Sequence, residues 1–301
     1  MNRKKSGLTL VELLITIAII AMLVGLLLPA LSAVRKAAKE VKQQAQITTI
    51  ELAISAFKND YGDYPPSDQF SHDVTPPVAN DYCGAQKLSE ALLGRDLLGF
   101  HPKSTWSATD PTFYPFGPKP ANLNERKGPY LELATANAFR LGEPEGLFAN
   151  PTPLNPDTFV ICDVFGRKSM SVGGKPVKMG TPILYYRANT SSKTIIPSEA
   201  PSPDQRIYNV LDNYALIALG HLTLRRPDGT PMPHPLKEPP DPRPSPWDSE
   251  PLYENFYRYI RDTKLLSVGK QWPYRPDSYI LISAGADGLY GTPDDIRNFG
   301  Y

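Results

Sequence analysis

The chain has 301 residues, and 32 Lys plus Arg balance 31 Asp plus Glu to a formal net charge of +1. The charges are scattered, so no basic face argues for nucleic acid as a partner. The composition stands out only in its 33 prolines, roughly twice the usual share of about 5%, which predicts a loop-rich body outside the helices.

The first seven residues, MNRKKSG, hold Arg3, Lys4 and Lys5 and no acid. By the positive-inside rule they stay in the cytoplasm and the C-terminal side crosses. Leu13 to Val34 then runs 22 residues without a charge, enough to span the hydrocarbon layer, which takes about 20. Glu12 stands at the mouth of this run, where a carboxylate costs free energy that grows toward the bilayer centre. Three readings compete for the segment. An ordinary signal peptide would be cut near Ala30-Leu31-Ser32, leaving a secreted or membrane-anchored binding protein. A plain uncut anchor gives no reason for Glu12. The third reading is a prepilin.

A short basic leader ending in Gly7, followed by Leu8-Thr9-Leu10-Val11-Glu12 and an apolar run, resembles the class III signal of type IV pilins and type II secretion pseudopilins. The resemblance implies that prepilin peptidase cuts after Gly7 and methylates Leu8 as the new N-terminus. Glu12 becomes the fifth mature residue and Pro29 the twenty-second, both matching the family. Leu8 departs from it, since phenylalanine or methionine is commoner there. In a bundle of such helices the Glu12 carboxylate would pair with the α-amino group of the next subunit, each charge meeting its opposite in a low-dielectric setting.

Beyond the apolar run, Val34, Val41, Ile47, Ile50, Ile54, Phe57 and Tyr61 recur mostly at three, four or seven residues, with charges largely between them. This extends one helix from Leu8 to Asn59, about 78 Å at 1.5 Å per residue. Pro29 lacks the N–H that would bond Gly25, which predicts a kink or local melting there. Glycine and proline in Asn59 to Pro66 end the helix. That ending, with the amphipathic Lys87 to Gly94, resembles the major pseudopilins of the type II secretion G class. Gly128-Pro129-Tyr130-Leu131 and Asp163-Val164-Phe165-Gly166 are similar to two further elements of that class, Val164 and Phe165 departing from it.

Strands are predicted at Thr158 to Cys162, Pro182 to Arg187 and Tyr279 to Ser283, each β-branched or aromatic and bounded by Gly, Pro or Asp. The expected fold class is α+β: a long N-terminal α-helix, half transmembrane and half amphipathic, on a small antiparallel β-sheet head with loop-rich inserts. The expected boundaries are a leader at 1–7, the helix at 8–62 and a periplasmic head at 63–301, with a Pro-rich insert about 196–251. Ten prolines fall between Pro227 and Pro251, a density that favours extended polyproline II in a surface loop over packed structure. Helical spacing returns within Ile207 to Leu224 and Leu252 to Leu266, predicting short helices. Cys83 and Cys162 belong to no CxxC motif and could form one disulfide outside the cytoplasm; the alternative is two unlinked, buried, small apolar residues.

Near the C-terminus, Asp287, Asp294 and Asp295 lie within nine residues among glycines. Hard cations such as calcium take six to eight oxygens from carboxylates and loop carbonyls, but the spacing is not that of an EF-hand. The loop resembles the Gly-Ala-Asp-Gly to Asp-Ile loop of G-class pseudopilins. That resemblance implies one structural calcium held by Asp287 and Asp295, with Asp294 a third candidate and backbone oxygens of Leu289 to Thr292 completing the shell. The alternative is an Asp-Gly turn with a solvated acidic tail. The four histidines form no HExxH pair, and no GxSxG or phosphate-cradling loop occurs; no catalytic constellation is found.

The reading that follows is a non-enzymatic structural subunit of a type II secretion-like pseudopilus. Its partners would be copies of itself, other pseudopilins, prepilin peptidase and an inner-membrane assembly platform. It would be a single-pass inner-membrane protein with a cytoplasmic leader and a periplasmic head, later drawn into the filament. A type IV pilus or minor pilin subunit is the alternative.

Overall fold

A computed structural model describes residues 9–68, 82–108, 111–115, 121–172, 174–196, 199–200, 202–237 and 251–300. The chain divides into two compact units, residues 1–41 and 42–301. Helix α1, Leu10–Tyr61, is assigned without interruption through Gly25 and Pro29, so the local melting expected there is not seen. The missing N–H of one proline removes one bond of the ladder, and the turns on either side remain helical.

In the first unit every described residue from Leu10 to Val34 is exposed, Leu23 at 54% and Leu26 at 66%. By length and composition α1 can cross a membrane.

In the second unit the same helix turns amphipathic in fact as well as in pattern. Gln43, Ile47, Ile50, Ile54 and Phe57 are buried, spaced four, three, four and three, the period of a single helix face. The four apolar ones share a core with Leu88, Ala91 and Leu92 of α2, Gly84–Leu93, and with Ile183, Tyr185, Tyr279 and Leu281.

The chain continues through α3, Leu133–Ala136, then β1, Ala138–Gly142, β2, Gly146–Phe148, and β3, Phe159–Ile161. A hairpin follows, β4, Lys168–Val172, and β5, Lys175–Met179, and then β6, Leu184–Arg187. The short helices α4, Tyr214–Ala218, α5, Pro251–Ile260, and α6, Thr263–Leu266, precede β7, Tyr279–Ser283, and β8, Ile296–Arg297. The class is α+β, with three small sheets: β2-β1-β3, β4-β5 and β6-β7-β8. All pairings are antiparallel except β1 with β2, which is parallel. The three strands read from the sequence are β3, β6 and β7. β3 reaches the central sheet through the Cys162–Pro182 bridge and the Ile183 N–H donating to the Ile161 carbonyl at 2.8 Å.

Side chains alternate across a strand, and here the alternation sorts the core into two layers. Ile183, Tyr185, Tyr279 and Leu281 face α1 and α2. Leu184, Tyr186, Ile280 and Ile282 face the other way, into a core with Ala215, Leu216 and Ile217 of α4 and with Phe256, Tyr257 and Ile260 of α5. All five residues of β7 are therefore buried. The segment read as a surface insert supplies the second layer. His234 and Leu236 are 2% and 3% exposed, which corrects the expectation of unpacked polyproline for residues 234–236. Residues 238–250 lie outside the described residues.

Gln43, Gln46 and Glu51 tie the second half of α1 to distant parts of the chain. Gln43 Oε1 accepts the Val164 N–H at 2.8 Å, and Gln46 Nε2 donates to the Cys162 carbonyl at 3.0 Å. Glu51 Oε1 accepts from Arg275 Nη1 at 2.6 Å and from Asn298 Nδ2 at 3.1 Å. At the end of the helix, Tyr130 of the Gly-Pro-Tyr element donates its hydroxyl to Asp60 at 2.6 Å and its N–H to the Leu92 carbonyl at 2.7 Å. Cys83 and Cys162 are both buried and free, so the disulfide is not formed; burial pushes the Cys83 thiol up to about 12, far from a reactive thiolate.

Candidate functional site

Two places carry the residues singled out in the sequence: the start of α1 and the acidic C-terminal loop. Gly7 and Leu8, the residues of the expected cleavage, lie outside the described residues. Pro29 is within α1. Glu12 lies in the first turn of the helix and is not without partners inside its own chain. The Thr9 N–H donates to Glu12 Oε2 at 2.9 Å and the Thr9 hydroxyl to the same oxygen at 2.8 Å. The Glu12 N–H donates back to Thr9 Oγ1 at 3.2 Å. This is a reciprocal capping box, in which two otherwise orphaned helix-terminal N–H groups are satisfied. Thr9-x-x-Glu12 spells that pattern in the sequence. The carboxylate thus stabilises the helix start and still has its second oxygen, Oε1, to offer.

The acidic loop links β7 to β8. Its two ends approach closely at Gly285, where φ is +59° and a Cβ would lie 2.1 Å from the Asp294 carbonyl oxygen; only glycine fits there. Asp294 Oδ2 accepts the Asp287 N–H at 2.8 Å, Asp287 Oδ1 accepts the Leu289 N–H at 2.7 Å, and Asp295 Oδ2 accepts the Gly291 N–H at 2.8 Å. The Thr292 hydroxyl bonds Asp294, and the Tyr259 hydroxyl bonds Asp295. Burial, reinforced by the charges of Asp294 and Asp287, pushes the Asp295 carboxyl up to about 7. Burial and the Asp294 charge likewise raise Asp287. Burial works upward on Asp294 as well, but hydrogen bonds from Thr292 and from the Asp287 N–H outweigh it and leave it lowered.

The loop therefore gathers carboxylates whose ionised forms oppose one another, an arrangement that a hard divalent cation relieves. Among the described residues, no group of three or more His, Cys, Asp or Glu side chains converges well enough to hold a metal. A cation here would depend on loop carbonyl oxygens beside the aspartates.

No local pattern signals what holds this loop in place. His221 Nδ1 accepts the N–H groups of Thr223 and Leu224 at 3.1 and 2.7 Å, so Nε2 carries the proton toward the Asp287 carbonyl at 3.0 Å. His234 Nδ1 accepts the Tyr290 N–H at 3.2 Å, and the Leu236 N–H donates to the Tyr290 carbonyl at 3.0 Å. Burial lowers both histidines, His234 to about 3. Both act as neutral rings. Their partners lie 56 and 66 residues away, which no local pattern signals.

A comparison with models of protein families matches residues 2–28 to the prokaryotic N-terminal methylation motif. No curated protein and no solved structure matches the chain. The N-terminus is thus a type IV pilin-like signal of the kind that prepilin peptidase processes, carried on a helix able to anchor in a membrane.

Proposed function

We propose that the chain is a processed structural subunit of a type II secretion-like pseudopilus, anchored in the inner membrane with its head in the periplasm. The observation that carries the reading is the methylation motif over residues 2–28 continued by one helix from Leu10 to Tyr61. Cleavage after Gly7 leaves Leu8 as residue one and keeps Thr9 and Glu12 together in the first turn. The oxygen of Glu12 that Thr9 does not use then takes the α-amino group of the next copy, which neutralises both charges where water is scarce. Other pseudopilins, the peptidase and an inner-membrane assembly platform are the partners of such a subunit.

Calcium in the 284–295 loop belongs to the same proposal. Asp287 and Asp295, with Asp294 beside them and carbonyl oxygens of Leu289 to Thr292, would hold it, and the bound ion would neutralise the clustered charge and add its binding energy to the stability of the fold. A type IV pilus or minor pilin subunit is the second reading, favoured by the insert that adds a second packed layer to the head.

Mass spectrometry of the mature N-terminus tests the proposal. A chain beginning at N-methylated Leu8 is the expected result, whereas a start at Ala33 would mean an ordinary signal peptide and end the pilin-like reading.

A further inference from the structure

Among the described residues no large apolar side chain is more exposed than Val268, at 76%. It is not on the membrane-length run but on the turn after α6, beside Leu266 at 36%. This tip is held in shape. The Asp262 N–H donates to the Trp272 carbonyl at 2.8 Å and closes the base, while the Asp262 carboxylate caps α6 by accepting the Lys264 N–H at 2.8 Å. The N–H groups of Val268 and Lys270 both donate to the Leu265 carbonyl, at 3.2 and 3.0 Å. An exposed apolar tip that is already ordered loses little further entropy on binding. Exposed Lys264 and Lys270 flank it, and neither is in an ion pair among the described residues; Lys270 Nζ lies 4.2 Å from the Trp272 ring centre.

The head carries a second rigid tip of opposite sign. Glu143-Pro144-Glu145 joins β1 to β2, and all three residues are exposed. The Glu143 N–H donates to the Phe148 carbonyl at 3.1 Å. A Cβ on Gly146 would lie 2.0 Å from the Gly142 carbonyl oxygen, so the turn is too tight for other residues. Glu143 lies 3.8 Å from Lys168, with half of its side chain exposed; Glu145 is in no ion pair among the described residues.

One tip reads cation, apolar, cation, and the other anion, apolar, anion. We propose that the two are halves of one contact between successive copies of this chain, with Val268 and Leu266 of one copy on Pro144 of the next and Lys264 and Lys270 against Glu143 and Glu145. This rests on the reading of the chain as an assembling subunit and names the head surface through which it assembles. Two different patches, rather than one self-complementary patch, make a heterologous contact, which propagates into an open filament when it does not close into a ring.

The test uses full-length protein made as an equal mixture of isotopically heavy and light copies, assembled and treated with a carbodiimide, which joins lysine to carboxylate only where they touch. Heavy–light peptide pairs joining Lys264 or Lys270 to Glu143 or Glu145 are expected. The yield should fall at least tenfold in a K264E/K270E variant and return when that variant is mixed with E143K/E145K copies. Assembled fibres without this cross-link, fibres in which it survives K264E/K270E undiminished, or a tip joined only to some other protein would overturn the contact while leaving assembly intact. Failure of the unaltered chain to assemble at all would overturn the contact and the assembly reading together.

Discussion

The two halves of α1 are continuous in backbone and opposite in what they do with their apolar side chains. From Leu10 to Val34 the described ones are exposed on every side of the helix. From Lys42 to Tyr61 most of the large ones fall on one face and disappear into the head, Ile47 and Ile54 at 0% exposure, with Leu52 left outside at 68%. A helix apolar all round needs a partner from outside, lipid or other copies, whereas an amphipathic one finds its partner in its own chain. The boundary between anchoring and folding thus falls inside one helix.

Three changes separate the halves, the largest effect first. Glu12→Ala is expected to leave processing and head stability unchanged while filament assembly is lost, read by electron microscopy and cross-linking; normal assembly would refute the charge-pairing role. Phe57→Ala removes a ring 4.7 Å from Tyr61, 5.1 Å from Phe100 and 5.9 Å from Tyr130, and should destabilise the head by about 3–5 kcal/mol. Leu23→Ala, in the outward half, should not shift the same denaturation curve in detergent. Equal losses from both would erase the distinction between the halves.

A smaller effect than that of Phe57→Ala concerns the acidic loop. The Asp295 carboxyl is raised from 3.8 to about 7 in the folded chain, so its contribution to stability is fully present below pH 3.8 and is lost as pH rises through 7. Asp295→Asn should therefore raise the stability of chelator-treated, full-length protein at pH 8, by roughly 1–3 kcal/mol, and abolish stabilisation by added calcium. Thermal melts at pH 5 and pH 8, with calcium or chelator, check both. Identical melts with and without calcium for the unaltered chain would remove the metal from the proposal.

The long helix, β3, β6 and β7 were legible because each is a local pattern bounded by glycine, proline or aspartate. The capping of the helix start by Thr9 and Glu12 went unread, although Thr9-x-x-Glu12 has the spacing of a capping box. The second layer was not read, although its signal lay in the strands: Ile183 to Tyr186 and Tyr279 to Ile282 are unbroken apolar runs rather than alternating ones, the mark of a sheet covered on both faces. Of what covers the second face, the short helices within Ile207 to Leu224 and Leu252 to Leu266 were marked by their spacing, but His234 and Leu236 had no such mark, since they sit among prolines with no periodicity. Gln46 and Glu51 reach partners 116 and 224 residues away, and no spacing rule connects residues so far apart. For the acidic loop the residue types were legible, but the histidines that hold it were not.

β7 is the middle strand of its sheet, between β6 and β8, and it is made well after its partner β6. Its partner β6 ends at Arg187, and all that lies between must be synthesised before Tyr279 can pair with it. Contacts of such long sequence separation form late, because loop closure precedes any gain from them. The anchor helix therefore exists long before the head can close. A chain stopped short of residue 283 has a membrane segment but two exposed half-cores on either side of an unpaired strand. Proteolysis would then remove chains in which β7 is missing while sparing those in which it has paired, so that β7 doubles as the mark of a closed head.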